Sequence, residues 1–277
     1  MRRAAPALAG YVAVRALGLV ALALWSAARG SSPHTLLTAR WDSLWYTRVA
    51  ELGYGYEVRL PNGDVHSDLA FFPLLPWLER LGGALTPLSS ADAGLLVSTL
   101  ASITAAWGIF AVADHVYGSR AGFCAVLLWA VLPVGIVQSM AYSESLFTAL
   151  AAWSLYAVLG GRWVTAGVLA SLAGLTRPVG AAVVAAVWAA AITSYVRDRR
   201  TLPAREVPVL RRALGMVLAP SAPPATSCGS AVAPARAPSA ISMCRRAGAT
   251  ASTAATPSPV SSRASSPPSP RHWPERD

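Results

Sequence analysis

The sequence predicts an all-α polytopic membrane protein, a bundle of about six to seven transmembrane helices with a large first loop and one helix lying in the interface. Three observations carry this. Of 277 residues, 54% are hydrophobic and only 13% charged, with a mean hydropathy of +0.45, a balance outside that of soluble domains. Apolar stretches near the length that crosses a bilayer, about 20 residues, recur along the chain. The polar chemistry concentrates in one stretch, RWDSLWYTRVAELGYGYEVRLPNGDVHSDLAFFPLLP, residues 40–76.

Arg2 and Arg3 precede an apolar run over 7–28. The length of this run and the spans that follow it favour an uncleaved first helix over a signal peptide. Arg15 interrupts the run and is expected to snorkel to the nearer membrane surface. Residues 29–91 then form the large loop. Within it, Trp45, Tyr46 and Val49 follow Asp42 at i+3, i+4 and i+7, which predicts a helix with an aromatic, apolar face suited to a membrane surface. Asp68 precedes AFFPLLP, where Pro73 fixes φ and opens another helix. Over 71–88, Leu74, Leu75, Leu78 and Leu81 make a stripe opposed by Glu79 and Arg80, the pattern of an interfacial helix.

Further spans are expected at 92–116, 121–140, 145–160, 162–176 and 179–196, several of them Ala-rich and short, which implies close packing. Beyond Arg212 a seventh run begins with LGMVLAP, and from about Ser221 the composition changes to Ala, Ser, Pro, Arg and Thr without periodicity. Residues 1–218 therefore read as a transmembrane domain and 219–277 as a low-complexity tail that cannot bury a core and is expected to be disordered. That tail resembles GC-rich coding sequence read out of frame, so a frameshift or premature end is expected.

Charge places the loops. If 71–88 does not cross, then Arg2, Arg3, Arg120, Arg162 and RDRR at 197–200 fall on one side, as the positive-inside rule requires. Asp42, Asp68, Glu144 and Arg177 then emerge on the opposite, outer face. The net charge of +10 is accounted for by these span ends and the tail, which speaks against a nucleic-acid surface. Cys124, Cys228 and Cys244 form neither a disulfide framework nor a ligand spacing.

The candidate chemistry follows from these positions. Asp42 is either the N-cap of the helix it precedes or a carboxylate held among aromatic rings as a general base. Glu144, in MAYSESLF, lies where two spans meet, a costly place for a charge and hence a functional position, although Ser143 and Glu144 also suit the start of a helix. Arg177, in GLTRPVG, breaks the charge rule that Arg120 and Arg162 obey, which calls for a partner: a phosphate, or else Glu144 or Asp68. Arg40 and Arg48 are weaker phosphate candidates. Trp41, Trp45, Phe71 and Phe72 are placed to stack on a sugar or sit among headgroups, with Tyr46 on the same helix. His66 with Asp42 and Asp68 could hold a divalent metal, though no spacing requires one. The chain has no glycine-rich phosphate loop and no nucleophile elbow.

The motifs RWDSLWY, AELGY, SDLAFFPLLP, AYSESLF and TRPVG, in this order around apolar spans, resemble the PIG-V-type mannosyltransferases of the GT-C glycosyltransferase class over about residues 8–218. The resemblance implies a multi-pass cell-membrane enzyme with an extracytoplasmic active face. It implies inverting transfer of a hexose, mannose above all, from a polyprenyl-phosphate-linked donor to a glycan, lipid or protein acceptor, with no nucleic acid involved. Asp42 matches the family's loop acid and takes its role as catalytic base. Asp68 matches the acid before the aromatic-proline run, and Glu144 and Arg177 match the Ser-Glu and Arg positions. Val179 stands where the family often has Asn, and the spans that complete the family's C-terminal half are absent. Two other readings stand beside this one: a transporter or lipid flippase, whose ions would sit near the midplane, and an inactive, truncated glycosyltransferase.

Overall fold

The computed structural model describes residues 2–59, 65–201 and 209–219. All belong to the first of two units, Met1–Ser230, and no described residue falls in the second, Ala231–Asp277. The tail expected to be disordered and the end of the seventh apolar run lie outside the described residues. The chain runs through α1 (Ala5–Ala28), α2 (Pro33–Thr38), α3 (Asp42–Leu52), a hairpin of β1 (Glu57–Arg59) and β2 (Val65–Ser67), and α4 (Leu74–Leu85). It continues through α5 (Ser90–Tyr117), α6 (Ser119–Ala130), α7 (Ser143–Leu159), α8 (Trp163–Gly174), α9 (Gly180–Thr201) and α10 (Val209–Leu218). Apart from the antiparallel hairpin, which the sequence does not announce, this is an all-α membrane protein. Among the described residues, α1, α5 and α9 are long and apolar enough to cross a membrane, while α6, α7 and α8 are shorter apolar helices.

α5 is the hub, packing against α1, α4, α6 and α7, while α8 joins α7 to α9 and α10. The buried positions along these helices are mostly alanine, including Ala105, Ala106, Ala149, Ala157, Ala166, Ala170 and Ala173. Small side chains let helix backbones approach, which is how helices associate where lipid removes the hydrophobic drive. α8 and α10 approach closely: a Cβ on Gly167 would run into the backbone of Gly215.

The span expected over 121–140 is not one helix. α6 stops at Ala130, and the chain passes through a turn and a short 3-10 segment, Gly135–Ser139, before α7. The reason is local: Pro133 lacks an N–H and disfavours helix at the residue before it. The break leaves carbonyls without intrahelical donors, and Arg15 of α1 supplies them, its guanidinium donating to the carbonyls of Ala130 and Gly135. Arg15 therefore does not snorkel as its place in the sequence suggests. Gln138 completes the repair: its Nε2 donates to the Trp129 carbonyl at 2.9 Å, and its Oε1 accepts from Tyr11 at 3.2 Å. Irregular backbone buried among helices persists only where protein satisfies its polar groups. Arg15→Met should therefore lower stability by upwards of about 2 kcal/mol, since each buried carbonyl left bare costs about 1–3 kcal/mol. An unfolding titration in detergent measures this.

α4 lies differently from its sequence pattern. Leu75 and Pro76 point inward as expected of an apolar stripe, but Glu79 is fully buried as well, at 0% exposure, whereas Trp77, Leu81 and Leu85 are more than half exposed. The uncovered stripe at i, i+4 and i+8 suits a helix lying in a bilayer interface. α3 is corrected in the other direction. Tyr46, Val49 and Ala50 are buried, so its apolar face meets protein and not the membrane surface.

Candidate active site

The site is built on the turn that opens α3. Trp41 has φ 51° and ψ −122° and is the non-glycine residue with positive φ among those described. These angles belong to the second residue of a type II′ turn, a position where glycine is usual. A hydrogen bond from Ser43 N–H to the Arg40 carbonyl at 3.2 Å closes the turn. The Ser43 hydroxyl, fully buried, accepts from Arg40 N–H at 2.9 Å and donates to the Arg40 carbonyl at 2.6 Å. Tyr142, at the head of α7, accepts from Asp42 N–H at 3.2 Å and donates to the Arg40 carbonyl at 3.4 Å. Strain of this kind costs about 1–3 kcal/mol and survives only where its surroundings over-determine it. Trp41→Gly should therefore raise the unfolding midpoint, because glycine adopts this φ without penalty, at the expense of the exposed indole.

As a result Asp42 is the first residue of α3, not its cap. The N-cap is Trp41, and no side chain caps the helix. The carboxylate is left to face Glu144 and Arg177, which approach from the start of α7 and from the turn between α8 and α9. Burial pushes the Asp42 carboxyl above the usual range, the charge of Glu144 adds to this, and Arg177 partly opposes it. Glu144 and Arg177 form an ion pair. Burial alone would lower the Arg177 pKa, but the adjoining Glu144 carboxylate, by charge and hydrogen bond, brings it above the ordinary value. Behind them Tyr46 and Ser143 share a hydrogen bond of 2.7 Å. Burial raises the pKa of Tyr46 and pushes Tyr142 up to about 12, so both phenols stay neutral and act as fixed hydrogen-bonding groups. Desolvated charges at one point, held by a strained turn, are the arrangement expected of a proton-transfer site.

Asp68 does something else. It is fully buried, and its Oδ2 accepts from the N–H groups of Gly55 and Tyr56, both at 2.9 Å. It thus ties the end of α3 to the segment before α4. Trp45 stacks on Phe71 with centroids 5.4 Å apart, Tyr46 meets the same ring edge-on at 5.1 Å, and Trp45 also packs against Tyr56. Arg48 lies over the Tyr56 ring at 3.5 Å, so Trp45 and Arg48 are parts of this wall. Arg40 and Trp41 remain exposed beside Asp42. His66 is exposed on the hairpin, paired opposite Val58. Among the described residues no three His, Cys, Asp or Glu side chains gather as a ligand set, and Asp42, Asp68 and His66 are separate features. Ser43 and Tyr142 were missed by sequence reasoning. The only signal for them was proximity to Asp42 and Glu144 in RWDS and AYSES.

A family model described as dolichyl-phosphate-mannose-protein mannosyltransferase matches residues 68–224, a stretch that includes Asp68, Glu144 and Arg177. GPI alpha-1,6-mannosyltransferase 2 from Rattus norvegicus and from Mus musculus are each 30% identical over 152 residues, covering 51% of this chain and 29% of theirs. The chain therefore spans under a third of the length of these curated relatives. No solved structure matches it. With the family model covering more than half of its residues, and with the PIG-V-type relatives its motifs resemble, the chain belongs to the dolichyl-phosphate-mannose-protein mannosyltransferase family.

Proposed function

We propose that this chain is a multi-pass glycosyltransferase that moves mannose from a polyprenyl-phosphate carrier to an acceptor hydroxyl, with inversion at C1. The observation that carries the reading is the meeting of Asp42 with the Glu144–Arg177 pair, in a fold that also holds an apolar groove. The groove, about 520 Å³, is lined by Leu78, Val97, Leu100, Leu146, Leu150 and Trp153. In this proposal the groove holds the polyprenyl tail and Arg177 the phosphate. In the reaction Asp42 takes the acceptor proton, the acceptor oxygen bonds to C1, and the bond from C1 to the phosphate oxygen breaks. Arg177 neutralises the departing phosphate. Asp68 holds the loop that carries the aromatic wall. A transporter would need ions lining a passage, whereas Arg15 in α1 is taken up by backbone carbonyls.

The test uses the 277-residue chain in liposomes with a short-chain polyprenyl-phosphate mannose and a membrane extract as acceptor source. Release of polyprenyl phosphate is expected, and no turnover of a nucleotide-linked mannose. The reverse preference would sink the reading. Arg177→Lys should raise the KM for the donor about tenfold, since a point charge replaces a fork that fits phosphate. The site end faces out of the cytoplasm in this proposal, with Arg2, Arg3, Arg120, Arg162 and 197–200 opposite. A cysteine replacing Ser31 should then react with an impermeant reagent in intact cells, and one replacing Arg162 only after permeabilisation.

A further inference from the structure

Arg177 is already engaged in this structure. Its guanidinium is held by Glu144, each side chain about one-third exposed. The second carboxylate oxygen of Glu144, Oε2, is buried and has no hydrogen-bond partner among the described residues. The backbone beneath is fixed: the Thr148 hydroxyl donates to the Glu144 carbonyl at 2.8 Å, and Ser143 holds Tyr46. Glu144 therefore reaches Arg177 from a rigid helix start with one oxygen to spare, beside Asp42. The charged and titratable groups facing Asp42 are Tyr46 on its own helix, Tyr142 and Glu144 at the head of α7, and Arg177 from the α8–α9 turn.

We propose that Glu144 is a positioning residue that occupies Arg177 in place of the donor phosphate and is exchanged for it when the donor binds. The inference rests on the reading of Arg177 as the phosphate ligand. Between turnovers Glu144 keeps a partly buried cation paired, since an unpaired one would be costly. On arrival the phosphate oxygens take the guanidinium, which they suit bidentately, and no covalent bond changes. The released Glu144 carboxylate stays in the first turn of α7, where the helix dipole tolerates it. Its charge, no longer neutralised by Arg177, raises the proton affinity of Asp42. The base is thereby strengthened when the sugar to be transferred is in place.

The experiment compares the wild-type full chain with Glu144→Gln in lipid nanodiscs, measuring binding of a short-chain polyprenyl phosphate and, separately, kcat. The exchange predicts a split. Removing the competitor should tighten binding about fivefold, while kcat falls about tenfold or more because Asp42 loses its strengthening neighbour. A merely structural role for Glu144 would weaken both, and unchanged or weaker binding overturns the exchange. Tighter binding with unchanged kcat overturns the effect on Asp42. If Glu144→Gln does not fold, Glu144→Asp carries the same test: its shorter reach loosens the hold on Arg177, so binding should tighten, though less, and failure to tighten overturns the exchange. If wild type binds no polyprenyl phosphate, the proposed function fails, and this inference with it.

Discussion

Asp42→Asn is expected to lower the transfer rate by at least about 10²-fold, the low end for general-base catalysis, while donor binding stays nearly intact. The substitution separates the two roles open to this residue. An N-cap would tolerate it, because Asn and Asp rank together there. The structure takes capping away from the carboxylate and leaves it against Glu144 and Arg177. Asn keeps the size of Asp and most of its hydrogen bonding but cannot take a proton. The raised pKa of Asp42 adds a second expectation. Activity should fall as pH drops through an acid limb lying above the ordinary aspartate value, and in Asp42→Asn that limb should vanish. Near-normal transfer by the Asn variant would move the search for a base to Glu144 or Asp68.

Glu79→Gln is expected to remove a pH dependence of stability that the wild type shows from about pH 4.5 to about 9. Glu79 is fully buried on α4, neither carboxylate oxygen has a hydrogen-bond partner among the described residues, and Gly94 of α5 leaves the space the group fills. Burial, and secondarily the charge of Glu51, pushes its pKa up to about 9 from the ordinary 4.5. Within that window the folded state keeps a proton that the unfolded chain gives up. Stability is therefore greatest below the unfolded pKa and declines as pH rises to the folded one, by up to about 1.4 kcal/mol per pH unit. Gln is uncharged throughout and should flatten the profile, with a higher midpoint than wild type at the alkaline end. Unfolding curves in detergent at several pH values decide it. Coincident profiles for the two proteins would mean that Glu79 is not the titrating group.

Much of the molecule was legible in its sequence because the deciding physics there is local. Apolar runs of bilayer length predicted the helices now seen as α1, α5 and α9, and the placing of arginines brought Asp42, Glu144 and Arg177 to one end before any contact was known. The jointly occurring motifs gave the family. What the sequence could not supply were the partners of groups far apart in the chain. Arg15 read as a snorkelling cation because Ala130 and Gly135, whose carbonyls it serves, lie 115 and 120 residues away. Glu79 read as part of a polar face because an amphipathic pattern does not say which side is covered, and here α5 covers the acid while Leu81 and Leu85 are left outside. Asp42 read as either a cap or a base because its own neighbours allow both. The hydroxyl of Tyr142, 100 residues on, joins Ser43 in holding the turn at Trp41 in a shape the local sequence would not choose. The sequence by itself determined that the chain is an α-helical membrane protein and which family it belongs to, since apolar composition and motif order are properties of short stretches. Tertiary structure alone decided which charge meets which, because an ion pair such as Glu144 with Arg177 depends on how three helices are packed and not on any one of them.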